Sequence, residues 1–123
     1  MRPIVLGALL ASFVTTNAAR ADDAIGMWQR GDGNTRVRVA SCGQAICATN
    51  IWVRDPQGDD RVGDILVLRV RATGADRMAG TAHDPQRNLD FDVQMSLRGQ
   101  RMLTKGCVAG SNLCRDIEWI RMH

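Results

Sequence analysis

The sequence predicts an all-β protein, a single small antiparallel up-and-down barrel of eight strands that follows an N-terminal signal peptide. Three observations predict this fold class. The 123 residues suffice for one hydrophobic core. Apolar and polar residues alternate in several segments, as in strands with one dry face. Most predicted connections have three to six residues, too few for the crossover helix that parallel strands need. Closing such a sheet removes its two exposed edges.

The first 21 residues have the pattern of a secretory signal peptide. A positive start, Met1-Arg2, precedes an uncharged apolar run at residues 3–14, and Ala19-Arg20-Ala21 is an A-x-A cleavage site. The apolar run is shorter than the roughly 20 residues that span a membrane. We therefore expect a periplasmic or secreted protein that does not span the membrane, with one mature domain at residues 22–123; a buried N-terminal helix is the alternative.

Alternation is clearest from residue 89 to residue 97, where Leu, Phe, Val, Met and Leu occupy the odd positions and polar residues the even ones. The same period recurs along the chain, and Gly, Pro, Asp and Asn mark the turns. No amphipathic helix is predicted. The predicted strands are Ile25–Arg30, Thr35–Ser41, Cys47–Arg54, Asp64–Arg71, Arg77–His83, Leu89–Leu97, Met102–Val108 and Cys114–Arg121.

The four cysteines all lie in the mature part and predict two disulfides. Chain entropy favours bridges between the two clusters, at about 4 kcal/mol against about 2.2 to 2.5 for local ones. Each local pair, however, flanks a Gly-containing turn between predicted strands, which brings facing residues within disulfide range. We therefore expect Cys42–Cys47 and Cys107–Cys114. A zinc site is the alternative, but the C-x4-C and C-x6-C spacings miss the usual C-x2-C.

Several other groups are candidates for chemistry, and each has a simpler structural explanation. Asp55, Asp59, Asp60 and Asp64 could hold calcium, although their spacing fits a solvated turn better. His83 and Asp84 are adjacent on a strand and should point to opposite faces. No serine has a nucleophile motif. We therefore predict no catalytic residue, no metal and no cofactor.

Charge and aromatic content indicate what the protein binds. Without Arg2 and Arg20, 14 basic residues stand against 13 acidic ones, which argues against a nucleic-acid partner. Trp52, Phe91 and Trp119 are candidate ligand-binding residues at a barrel mouth, with core packing as the alternative for the tryptophans. A stripe of arginines that could instead face an anionic envelope component comprises Arg36, Arg38, Arg69 and Arg71.

Several motifs together resemble the DUF2147 family of exported bacterial proteins, over nearly all of the mature chain. They are Gly26-Met27-Trp28, the segment from Arg36 to Cys47, Gly80 with Asp84-Pro85, and the segment from Lys105 to Trp119. The resemblance implies a lipocalin-like barrel with no established activity. It also implies a clasp in which Gly26 and Trp28 on the first strand pack against Arg121 near the last.

The sequence thus predicts an exported, non-catalytic barrel that binds a small apolar or amphipathic ligand. The alternative is a structural or interaction protein of the cell envelope without such a ligand. Eight-stranded barrels can hold one small molecule, but large side chains can equally fill their interior.

Overall fold

The computed structural model describes Gly7 and residues 20–123. In this part of the chain, eight antiparallel strands form a closed barrel in sequence order, and β8 pairs back onto β1. The predicted fold class and strand order are confirmed. Apart from Gly7, Arg20 and Ala21, the predicted signal peptide at residues 1–21 lies outside the described residues. The strands are β1 Gly26–Arg30, β2 Thr35–Cys42, β3 Ala45–Val53, β4 Ile65–Ala72, β5 Arg77–Asp84, β6 Leu89–Arg98, β7 Arg101–Val108 and β8 Cys114–Met122.

Both predicted disulfides are present, and the β2–β3 hairpin is tighter than predicted. Cys42–Cys47 and Cys107–Cys114 span Cα–Cα distances of 5.8 and 4.0 Å. The sequence predicted a strand starting at Cys47, but β3 starts at Ala45, which pairs with Cys42. Gly43 takes φ 68° as the first central residue of a two-residue turn, the position that a type II′ hairpin reserves for glycine. This disulfide therefore joins diagonal neighbours, whereas the second joins directly opposed residues.

A one-turn 3₁₀ helix at Ala21–Ala24 lies before β1 and was not predicted. It sits at the barrel end that carries the β2–β3, β4–β5 and β6–β7 turns, called the closed end below. Ala24 is fully buried, and its carbonyl oxygen accepts a hydrogen bond of 2.9 Å from the Trp28 indole Nε1. A turn of four residues is too short to show a helical hydrophobic period, so the sequence contains no signal for it.

The structure brings the predicted clasp residues together at the closed end. The Arg121 guanidinium carbon lies 4.2 Å from the centroid of the Trp28 ring. Arg121 also donates hydrogen bonds to the carbonyl oxygens of Ile25 and Asp23, at 3.0 and 2.8 Å. Gly26 has φ 138°, and a Cβ there would lie 2.9 Å from Arg121 Nη1. The clasp therefore joins β8 to both β1 and the preceding 3₁₀ turn.

The hydrophobic core is concentrated toward the closed end of the barrel. Trp28 and Met78 are the largest fully buried side chains, and Met95 and Met102 pack with them. Gly80 allows a close approach of β5 and β4, since a Cβ there would overlap the Arg69 carbonyl oxygen and lie 2.9 Å from Val70 Cα. In the described chain, no helix has the length and apolar character to cross a membrane.

Candidate functional site

A cavity of about 430 Å³ occupies the other half of the barrel interior and extends to its opposite, open end. The open end carries the β1–β2 turn, the long β3–β4 loop at residues 54–64, the β5–β6 turn and the β7–β8 loop. The depth of the cavity is apolar and its rim is polar. The apolar lining comprises Val37, Ala48, Leu66, Leu68, Ala82, Phe91, Val93, Met95, Met102, Ile117 and Trp119.

Two of the three predicted ligand-binding aromatics, Phe91 and Trp119, line this cavity. The Trp119 Nε1 donates a hydrogen bond of 3.0 Å to the Thr104 hydroxyl, itself 3.5 Å from the Ile117 carbonyl oxygen. The polar edge of the indole is thus satisfied inside the barrel. Trp119 therefore offers apolar surface to the cavity without leaving an unpaired donor there.

Trp52, the third predicted ligand-binding residue, does not line the cavity, so its grouping with Phe91 and Trp119 is corrected. Alternation from Ile46 through Ala48 and Asn50 would turn it inward. A β-bulge opposite the Arg36–Val37 step adds one residue to β3 and shifts the register, so that Trp52 pairs with the outward-facing Arg36. The Arg36 guanidinium carbon lies 4.7 Å from the Trp52 ring, which is 37% exposed.

At the rim, Arg30 holds the β1–β2 turn and the β3–β4 loop together. Its Nη2 and Nη1 lie 2.8 Å from Asp32 and 3.3 Å from Asp60. The hydrogen bond from Arg30 lowers the pKa of Asp32 to about 2, and the same bond raises the pKa of Arg30. Asp60 lies 3.5 Å from the hydroxyl of the buried Thr35. Arg30 is therefore already engaged by two carboxylates.

Asp84 and Arg87 form a second ion-pair network across the rim. The Asp84 carboxylate accepts hydrogen bonds from the side chains of Gln86 and Arg87, at 2.8 and 3.0 Å, and from their backbone N–H groups. Burial alone would raise the pKa of Asp84, but these hydrogen bonds outweigh it and lower the pKa below its ordinary value. The hydrogen bond to Asp84 raises the pKa of Arg87.

The same network fixes the β3–β4 loop. Arg87 Nη2 donates to the Asp59 carbonyl oxygen at 2.6 Å and lies 3.3 Å from the Asp64 carboxylate. The Gln86 side chain bonds both the N–H and the carbonyl oxygen of Ile65, at 2.9 and 2.7 Å. The rim near β4 and β5 is therefore built from interlocked loops.

Arg115 is the third arginine that lines the cavity, and it differs from the other two. Within residues 20–123 it makes no ion pair, whereas Arg30 and Arg87 each contact two carboxylates. On β8, Arg115 is the cross-strand partner of Gly106 on β7, which also lines the cavity. A Cβ at Gly106 would have only Val93 Cγ1, at 3.9 Å, within 4 Å. Arg115 thus stands beside open space.

The sequence analysis named some of the rim residues but did not recognise them as one site, although alternation contains part of the signal. Three polar rim residues lie two positions beyond an inward-facing apolar residue of the same strand. They are Arg30 beyond Trp28, Asp84 beyond Ala82, and Arg115 before Ile117. Thr35 and Asn50 do the same beside Val37 and Ala48. A polar residue in phase with an inward-facing series, near the open end of its strand, is thus the pattern that marks the rim.

Most of the remaining candidates have structural partners. His83 lies on the outer surface with Nδ1 2.7 Å from Asp90, away from the buried Asp84. Asp60 and Asp64 bind arginines, and Asp55 accepts a hydrogen bond from the backbone of Gln57. In the part of the chain that the structure describes, no group of three His, Cys, Asp or Glu side chains could hold a metal ion.

Comparisons with known proteins agree with the fold. A family model described as "Uncharacterized protein conserved in bacteria (DUF2147)" matches residues 26–121. A search of curated proteins finds no match. The chain is similar to a solved structure titled as a redesigned beta barrel, at 13% identity and a TM-score of 0.55, over 87% of this chain and 98% of the other. At that identity the likeness concerns the barrel fold alone.

Proposed function

This chain belongs to the DUF2147 family of uncharacterised bacterial proteins, and we propose that it is an exported, non-catalytic barrel that binds a small apolar or amphipathic molecule inside. The cavity of about 430 Å³, apolar in its depth and polar at its rim, carries the proposal. Protein interiors are normally close-packed and contain few voids larger than a water molecule. Small-molecule sites, by contrast, are clefts of about 300 to 1,000 Å³ with a few polar groups.

Two further observations support the absence of catalysis and the export. The pKa shifts at the rim keep Asp84 and Arg87 charged, whereas general acid or base catalysis needs a pKa moved toward the working pH. Two disulfides in a small domain suit an oxidising compartment, as does the signal-peptide pattern of residues 1–21.

A neutral apolar probe tests the binding function. N-phenyl-1-naphthylamine should bind the purified oxidised protein saturably, with one site per chain by fluorescence titration. Gly106→Leu should abolish this binding, because the new side chain projects into open cavity space. Gly74→Leu is the matched control, since its Cβ would make an ordinary 3.7 Å contact with Arg77 in a turn outside the cavity. Absence of saturation in the wild type, or equal binding by Gly106→Leu, would refute the proposal.

A second candidate is an envelope interaction protein that uses its outer wall. Strands β2, β3 and β4 contain Arg36, Arg38, Arg69 and Arg71 but no acidic residue. Such a wall complements an anionic surface. This candidate predicts that the protein co-sediments with anionic but not with zwitterionic vesicles, and that the Arg69→Gln/Arg71→Gln variant does not. If the wild-type protein behaves in this way and does not bind the apolar probe, this candidate is favoured over the first.

A further inference from the structure

We infer that the ligand is a single-tailed amphipathic anion whose negative head binds Arg115 at the rim while its tail occupies the apolar cavity. This inference rests on the proposed binding function and names the class of ligand. Its basis is the contrast between Arg115 and the other two cavity-lining arginines. Within the described residues, Arg30 and Arg87 are each held by two carboxylates, and Arg115 makes no ion pair.

An anionic head would therefore meet Arg115 without breaking an existing contact. At Arg30 or Arg87 it would compete with carboxylates of the β3–β4 loop, Asp60 and Asp64, that help to hold the rim together. A guanidinium presents a planar fork that matches the oxygens of carboxylate or phosphate. Arg115 is exposed at this rim, so an anionic head can reach its guanidinium from solvent while the tail enters the cavity.

The space beside Arg115 continues into the apolar part of the cavity. Gly106, the cross-strand neighbour of Arg115 on β7, has no side chain. The next inward positions on β7 and β8 are Thr104 and Ile117. An alkyl tail can therefore pass from Arg115 over Gly106 toward Phe91 and Trp119, which line the same cavity. A volume of about 430 Å³ lies near the lower end of ligand sites, which favours one tail over two.

The competing head group is a cation, which would bind Asp59. This residue lines the rim, and within the described chain its carboxylate makes no ion pair. Asp59, which is exposed like Arg115, lies on the β3–β4 loop, and its carbonyl oxygen accepts a hydrogen bond of 2.6 Å from Arg87 Nη2. The positive charge of Arg87 therefore lies at the backbone of the same residue and would oppose a cationic ligand there. Among residues 20–123, no carboxylate lies within salt-bridge distance of Arg115 to oppose an anionic head.

The experiment compares ligands that share one tail and differ in head group. Decanoate, decyl phosphate, decanol and decylamine compete with bound N-phenyl-1-naphthylamine at pH 7.5, where carboxylates are ionised. We expect both anions to bind about three- to fivefold more tightly than decanol, as for an exposed ion pair. Arg115→Gln should remove this advantage and leave decanol affinity within about twofold, and Arg115→Lys should keep part of it.

Arg101→Gln is the matched control, since this arginine lies on the outer wall, 71% exposed, 3.4 Å from Glu118. It should bind all four ligands as the wild type does. Circular dichroism and melting temperature check that each variant folds. If anions and decanol bind equally, if decylamine binds best, or if Arg115→Gln keeps the preference, the head-group inference is wrong while cavity binding stands. If neither probe nor ligand binds the wild type, the binding function itself fails.

Discussion

Trp28 and Arg121 should together determine the stability of the closed end, and truncating the tryptophan is the most direct perturbation. Trp28 is fully buried, it donates to the Ala24 carbonyl oxygen at 2.9 Å, and its ring lies 4.2 Å from the Arg121 guanidinium carbon. Trp28→Ala therefore removes core packing, one hydrogen bond and a cation–π contact at once. The 3₁₀ turn loses its partner in β1 in the same step.

The expected cost follows from these contacts. Truncating a buried aromatic to alanine costs about 3 to 5 kcal/mol. Arg121→Gln removes the cation–π contact, worth about 0.5 to 2 kcal/mol, and weakens the hydrogen bonds to Ile25 and Asp23. For a domain of roughly 100 residues, each kcal/mol shifts the melting temperature by about 4 to 8 °C. Trp28→Ala should thus lower the melting temperature by more than about 12 °C.

Urea unfolding followed by far-ultraviolet circular dichroism, with disulfides oxidised, measures these costs. Trp28→Leu and Arg121→Gln complete a double-mutant cycle, since Leu keeps apolar bulk but has no π face. We expect a coupling energy of about 0.5 to 2 kcal/mol. Arg101→Gln, on the outer wall, should change stability by no more than about 0.5 kcal/mol. A loss below 1 kcal/mol in Trp28→Ala, or additive effects in the cycle, would refute the clasp.

Three other variants test the remaining supports of the barrel. Gly80→Ala should lower the free energy of unfolding by at least about 2 kcal/mol by urea titration, because its Cβ would overlap the Arg69 carbonyl oxygen; a neutral result would contradict the close approach. Asp84→Asn should cost about 1.5 to 3 kcal/mol at pH 7. Because the folded-state pKa of Asp84 is lowered, the free energy of unfolding of the wild type should fall as the pH drops below about 4. This decline should be shallower in Asp84→Asn, and parallel pH profiles of the two proteins would argue against a stabilising role of the Asp84 carboxylate. Cys107→Ser/Cys114→Ser should cost about 2 to 2.5 kcal/mol from lost loop closure, and non-reducing peptide mapping of the wild type should give the two local pairs rather than crossed ones.

The strands and their inward faces were predictable because a period of two survives in any strand with one dry face. Leu89, Phe91 and Val93 alternate with polar residues, and the strand found there begins at the same residue. Trp52 was not predictable in this way, because a bulge reverses the alternation and leaves no composition signal.

The cavity itself could not be predicted from the sequence, because its volume depends on which small residues stand beside larger ones on neighbouring strands. Ala82 opposes Phe91 and Gly106 opposes Val93 only once the register is fixed. The ion pairs at the rim depend on loop paths in the same way, since Arg87 reaches residues 59 and 64 of another loop. Local alternation carries information about faces, whereas volumes and loop contacts depend on nonlocal register.

The closed end of the barrel therefore contributes mainly to stability and the open end to ligand binding, and substitutions at the two ends should have different effects on these two properties. At the closed end, Trp28 and Arg121 join the first strand to the last. At the open end, Gly106 leaves empty apolar space beside Arg115. Filling a cavity adds buried contacts and a strand side chain in place of glycine. Gly106→Leu should thus raise the free energy of unfolding while it abolishes binding, as expected where empty volume is kept for a ligand at a cost in stability.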